Sequence, residues 1–247
     1  MVAQHLEGSV RSFLCLYSYM SDSTKYYHFS YALNIKGIPY ETVWVEYPDI
    51  EDVCKEIGAA PTSTIAPHYT LPVIQDKSTG VVISDGPLIV EYLDKQYPDT
   101  TQLFPPGTIA LQAGFTSAHG SAISPINHLS LRRTNAILNP RSQEYIRRTR
   151  EQAAGKKIEE ITPVGEARAV GWEKYRGGLG KVDSWYQKSE GPFVMGESIT
   201  FADITVVSWL VFLKIIFGED SQEWKDIAGW HNGRWERLVN TFAKYQY

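Results

Sequence analysis

The chain has 247 residues, two cysteines and six histidines, with 28 acidic against 24 basic side chains and a formal charge of −4. That balance argues against a general binder of nucleic acid or anionic membrane, whose affinity rests on lysine and arginine neutralising phosphates. Cys15 and Cys54 are far apart, so there is no disulfide framework and no zinc spacing, and a reducing compartment is expected.

Residues 1–11 contain no apolar core of secretory-signal length. Residues 13–18 are an apolar run rich in β-formers that ends in Ser21-Asp22-Ser23-Thr24, all good helix caps, so a strand, a turn and a helix are predicted. Tyr26, Phe29, Ala32 and Leu33 recur at helical spacing until Gly37 and Pro39 stop them. Residues 40–45 alternate like a strand, 49–57 suit a short helix ending at Gly58, and 61–68 form a proline-punctuated loop. The runs 71–75 and 81–84, joined by Asp76-Lys77-Ser78-Thr79-Gly80, predict a hairpin. After Asp85-Gly86-Pro87, the apolar positions Leu88, Ile89, Tyr92 and Leu93 return to helical period.

The order βαβ, α, ββ, α is that of a thioredoxin-like domain. The fold class is therefore α/β plus all-α: a thioredoxin-like domain over 1–97, a proline-rich linker over 98–108 and a C-terminal helical bundle domain over 109–247. In the second domain 109–128 and 203–217 read as helices. Thr200 and Asp203 form a predicted capping box, with Ile199 and Ile204 as its hydrophobic staple. The stretch 144–180 is charged and interrupted by Pro163 and several glycines, which leaves its helices open. Gly177-Gly178-Leu179-Gly180-Lys181 is read as a helix break, because Val182 stands where a phosphate loop needs a hydroxyl and no strand precedes it. Arg132, Arg133, Arg147, Arg148 and Arg150 read as a solvated helix face. No zinc-protease pattern or nucleophile elbow occurs, and no metal is expected.

Three segments carry a family resemblance. Tyr69-Thr70-Leu71-Pro72-Val73-Ile74 resembles the segment of glutathione transferases in which a cis proline opens the third strand; taken alone, it equally suits an edge-strand proline. In that family the residue before the proline, here Leu71, offers its backbone to the cysteinyl part of glutathione as an added strand would. Ser84-Asp85-Gly86 falls where the family has an acidic residue followed by serine at a helix start. The resemblance implies that Asp85 takes the γ-glutamyl ammonium and that the helix N-terminus takes its carboxylate. Gly86 departs from the pattern, supplying an N–H but no hydroxyl, with Ser84 beside it; a plain helix cap is the alternative.

Counting back from Lys36-Gly37, the serine that activates the thiol in serine-type classes falls on Ser23, with Ser21 and Thr24 as neighbours. Tyr17 or Tyr19 would serve a tyrosine-type enzyme, and capping alone also explains a serine there. The segment from Pro192 to Ile204 resembles the family's folding motif in the C-terminal domain. Within the family the chain is similar to fungal transferases related to bacterial β-etherases, on the serine loop, on Trp44-Val45-Glu46-Tyr47-Pro48-Asp49-Ile50 and on the long charged insertion after His128. The resemblance implies a cytoplasmic homodimer that uses glutathione as co-substrate and conjugates it to hydrophobic aromatic electrophiles. A non-catalytic carrier of apolar aromatics is the alternative, and neither nucleic acid nor membrane is an expected partner. Phe115 and His119, on the first helix after the linker, are candidates for the electrophile site, although His119 also suits a packed or surface histidine.

Overall fold

The computed structural model describes residues 10–15, 27–63 and 68–246. Strands β1 (Val10–Cys15), β2 (Tyr40–Val45), β3 (Val73–Asp76) and β4 (Val81–Ser84) form one sheet in the order β2-β1-β3-β4. β1 runs parallel to β2, from Val10 opposite Tyr40 to Cys15 opposite Val45, and antiparallel to β3, which is antiparallel to β4. β1 starts three residues earlier than its apolar run suggests, because pairing with β2 sets its limits. β3 starts at Val73, because Pro72 has no N–H to give to a ladder.

Side-chain alternation lets the sheet bury both faces. Val10, Leu14 and Ile74 point into the main core with helices α1 (Tyr27–Lys36) and α3 (Gly86–Gln96). Phe13, Val45 and Val73 form a smaller core with Ile50 and Cys54 of α2 (Ile50–Glu56), which follows a tight turn at Tyr47–Asp49. The hydroxyls of Tyr92 and Tyr97 donate to Asp76 at 2.7 and 2.8 Å, tying α3 to the hairpin.

The segment read as a linker is anchored. The buried Asp94 carboxylate accepts from the Leu103 and Phe104 N–H groups and pairs with buried Lys36 at 2.6 Å, while Lys36 also donates to the Thr101 carbonyl. Leu103 and Phe104 enter the main core, which runs on into the helical domain.

That domain contains α4 (Ile109–Ile123), α5 (Ile126–Ala136), α6 (Pro140–Ala154), α7 (Ile158–Ile161), α8 (Gly165–Tyr186), α9 (Phe201–Phe217) and α10 (Gln222–Phe242). The single helix expected over 109–128 is two, interrupted at Ser124 and Pro125. Thr200 is the N-cap of α9, and its N–H donates to the Asp203 carboxylate at 2.9 Å, as the capping box predicts. α9 packs against α1, which joins the two domains.

The expected break at Gly177–Lys181 is a misreading: these residues lie inside the 22-residue α8. The glycines there serve close packing. A Cβ on Gly178 would stand 2.0 Å from the Ala122 carbonyl oxygen of α4. Tertiary contact thus overrides glycine's weak helix propensity. Gly178→Ala is expected to force α4 from α8 and to cost about 1–3 kcal/mol, read as a lowered thermal midpoint. Of the arginines assigned to a solvated face, Arg147 is ion-paired with Glu151 at 2.9 Å and Glu159 at 2.8 Å.

Candidate functional site

Strand direction brings most of the sequence-predicted residues to one edge of the sheet. Cys15 and Val45 end the parallel strands β1 and β2 side by side. Antiparallel β3 begins at that same end, with Phe13 opposite Val73, and Val73 faces Ser84 at the end of β4. Leu71, Pro72, Ser84, Asp85 and Gly86 therefore gather where the loop after β1 must also start. Carboxyl ends of parallel strands are where open α/β sheets bind ligands.

The Leu71–Pro72 peptide bond is cis. Leu71 stands just outside the ladder, at the end of a segment tied down by Thr62, whose N–H and hydroxyl donate to the His68 carbonyl at 2.9 and 3.0 Å. The Thr70 hydroxyl donates to that of Thr62 at 3.0 Å.

Asp85 is exposed and has φ +76°, a region that non-glycine residues rarely adopt. Its carboxylate accepts from the Gly86 N–H at 2.8 Å, capping α3. The donor that sequence reasoning assigned to a ligand is thus already engaged. Pro87 has no N–H and the Ile89 N–H bonds to the Asp85 carbonyl, so Leu88 carries the open donor of this first turn among the described residues. Ser84 is buried, and its hydroxyl donates to the Ala60 carbonyl at 2.8 Å. Asp85 is left as the exposed charge at the sheet edge.

Phe115 and His119 lie one turn apart on α4, their rings parallel at 6.4 Å. Phe115 also meets Trp185 of α8 edge-on at 5.4 Å, a partner sequence reasoning missed because it comes from a helix 66 or more positions away in the chain. His119 is only 1% exposed, and its Nδ1 is buried without a hydrogen-bond partner, as is the Thr116 hydroxyl. Burial pushes the His119 imidazole down to about 4, so it is neutral at neutral pH. Ser23, Ser21, Thr24, Tyr17 and Tyr19 lie outside the described residues. Cys54 is buried under α2, and burial pushes its thiol up, which makes it a poor nucleophile.

Residues 30–96 match the family model described as Glutathione S-transferase, N-terminal domain, and residues 110–245 match the one described as Glutathione S-transferase, C-terminal domain. The chain belongs to the glutathione S-transferase family. Among curated relatives, the glutathione S-transferase-like protein ustS of Aspergillus flavus is 30% identical over 86% of this chain and 80% of its own length. A Ceriporiopsis subvermispora glutathione S-transferase, solved in complex with glutathione, superposes with a TM-score of 0.92 at 45% identity, covering 97% of this chain and 98% of its own. A Phanerochaete chrysosporium glutathione transferase gives 0.90 at 38% identity, covering 98% of each chain. In this transferase, no group of histidine, cysteine, aspartate or glutamate among the described residues is arranged to hold a metal ion. No helix of the described residues is long and apolar enough to cross a membrane.

Proposed function

We propose that the protein is a glutathione transferase that joins glutathione to hydrophobic, aromatic electrophiles. The observation that carries this reading is the gathering of cis Leu71–Pro72, Asp85 and the start of α3 on one sheet edge. The glutathione complex of the Ceriporiopsis relative supports it.

The Leu71 backbone would pair with the cysteinyl backbone of glutathione as an added strand. The Asp85 carboxylate would face the γ-glutamyl ammonium. The Leu88 N–H and the positive end of α3 would face the carboxylate beside it. Phe115 and Trp185, with neutral His119 beneath, supply aromatic surface for the electrophile.

Ser23 is the proposed donor to the glutathione sulfur. A free thiol with a pKa of about 8.5 is only about 3% ionised at pH 7, and lowering it to about 6.5 gives roughly 25-fold more thiolate. Lower basicity returns roughly eightfold of that at a Brønsted slope of about 0.4–0.5, leaving about threefold. Most of the acceleration must then come from holding sulfur and electrophile in attack geometry. Ser23→Ala is expected to raise the pKa of the bound thiol by about one to two units and to leave glutathione affinity nearly intact. Ultraviolet titration of the bound thiolate reads this directly, and an unchanged pKa removes Ser23 from the mechanism.

A second reading, a carrier of apolar aromatics on the same fold, is favoured by one observation: the Gly86 N–H is spent on Asp85 and no hydroxyl stands at that position. Turnover of a chloronitrobenzene electrophile, measured beside displacement of a fluorescent apolar probe, separates the two. Probe binding without turnover selects the carrier. The family reading also gives a homodimer, which sedimentation at micromolar concentration tests.

A further inference from the structure

The two domains are joined at two ends of the sheet, and only one of these joints is at the site. α1 and α3 both start at the site edge and run away from it, so Lys36, Asp94 and the anchored linker lie at the far end. The second joint is at the near end. There the corner between β2 and α2, residues 46–49, meets the start of α6 in the helical domain.

This joint is dense. The Glu46 carboxylate accepts from the Asn139 amide at 2.5 Å and from the Ser142 hydroxyl, and the Tyr47 N–H donates to that same hydroxyl at 3.0 Å. Asp49 receives both arms of the Arg141 guanidinium, at 2.7 and 2.9 Å. Tyr47 belongs to the small core under the sheet and also packs with Leu138 and Ile146 of the insertion. The insertion is braced in turn: the Asn135 amide donates to the Gln143 carbonyl, and Arg147 ties α6 to Glu159 of α7. A rigid helical hairpin is thereby bolted to the corner where β2 leaves the site edge.

We infer that the insertion over 137–161 is the outer wall of the second-substrate site and that Asp49 and Arg141 are positioning residues, setting how far that wall stands from the glutathione side of the cleft. The inference rests on the site reading given above. It does not concern glutathione itself, whose proposed contacts at Leu71, Asp85 and α3 lie on the other strands of the sheet. Loosening the joint should therefore weaken the hold on the electrophile and spare glutathione.

The test uses charge reversal in the full chain. Asp49 and Arg141 have side chains 40% and 65% exposed, so Asp49→Arg, Arg141→Asp and the swapped pair are all compatible with folding. Each single reversal sets like charges together and is expected to raise KM for chlorodinitrobenzene roughly threefold or more, with KM for glutathione unchanged. The swapped pair is expected to restore the electrophile KM, which a general loss of stability would not do. Glu46→Gln, which weakens the same corner without reversing charge, should move KM in the same direction. An electrophile KM unmoved by both single reversals, or a glutathione KM that rises in step with it, overturns the inference while leaving the site reading intact. A parent protein that neither binds nor turns over glutathione overturns the site reading, and this inference with it.

Discussion

Asp203→Ala is expected to cost about 3–5 kcal/mol of folding stability, a large share of the roughly 5–15 kcal/mol that typically separates folded from unfolded chains. The Asp203 carboxylate is fully buried and accepts four hydrogen bonds: from the Val194 N–H at 2.8 Å, the Thr200 N–H and hydroxyl at 2.9 Å, and the Tyr186 hydroxyl at 3.1 Å. Removing it orphans donors that water cannot reach, each at about 1–3 kcal/mol in the worst case. It also uncaps α9, the helix that packs on α1 and so holds the two domains together. Asp203→Asn, whose amide keeps one acceptor oxygen, should recover part of the loss. Urea unfolding of the two variants against the parent measures both effects. A midpoint for Asp203→Ala equal to that of the parent would show that this network contributes nothing.

Acid should destabilise the protein through His119 by roughly 2–3 kcal/mol between about pH 6.5 and about pH 4. The unfolded imidazole titrates near its ordinary value of 6.5, whereas burial holds the folded one at about 4. Between those values the unfolded chain binds more protons, so stability is fully present above the higher value and falls as pH falls toward the lower. His231, also pushed down by burial, acts in the same direction. Asp203 has the opposite sign: burial raises its carboxyl, so protonation there favours the folded state. Asp76 is held below its ordinary value of 3.8, since bonds from Ser78, Tyr92 and Tyr97 outweigh its burial, and it loses its contribution only under that pH. The window above about pH 4 therefore isolates the histidines. Urea midpoints at about pH 7 and about pH 4.5, compared between the parent and His119→Gln, should show a shallower loss in the variant. Parallel losses would mean that His119 is not buried neutral in the fold.

Features written in neighbouring residues were legible in the sequence. β2 and β4 have the limits that their alternation predicts, and Thr200 and Asp203 form the capping box that their spacing announces. Leu71–Pro72 is cis, as the resemblance implied, and the start of α3 falls at Gly86. In each case the interaction spans at most a few positions, and short-range spacing is what a sequence displays.

Tertiary structure decided the rest. Gly178 looked like a helix break and is a contact point, because the Ala122 carbonyl it admits lies 56 positions earlier in the chain. Asp85 satisfies the Gly86 N–H that seemed available to a ligand, a result of one backbone angle that no residue pattern displays. The burial of His119, its neutral imidazole and the Trp185 edge beside Phe115 arise only when α4 meets α8. Glu46 to Asp49 and the insertion after His128 were visible in the sequence as two separate peculiarities. Folding makes them the two halves of one joint, because hydrogen bonds between residues some 92 to 96 positions apart depend on geometry that composition and periodicity do not carry.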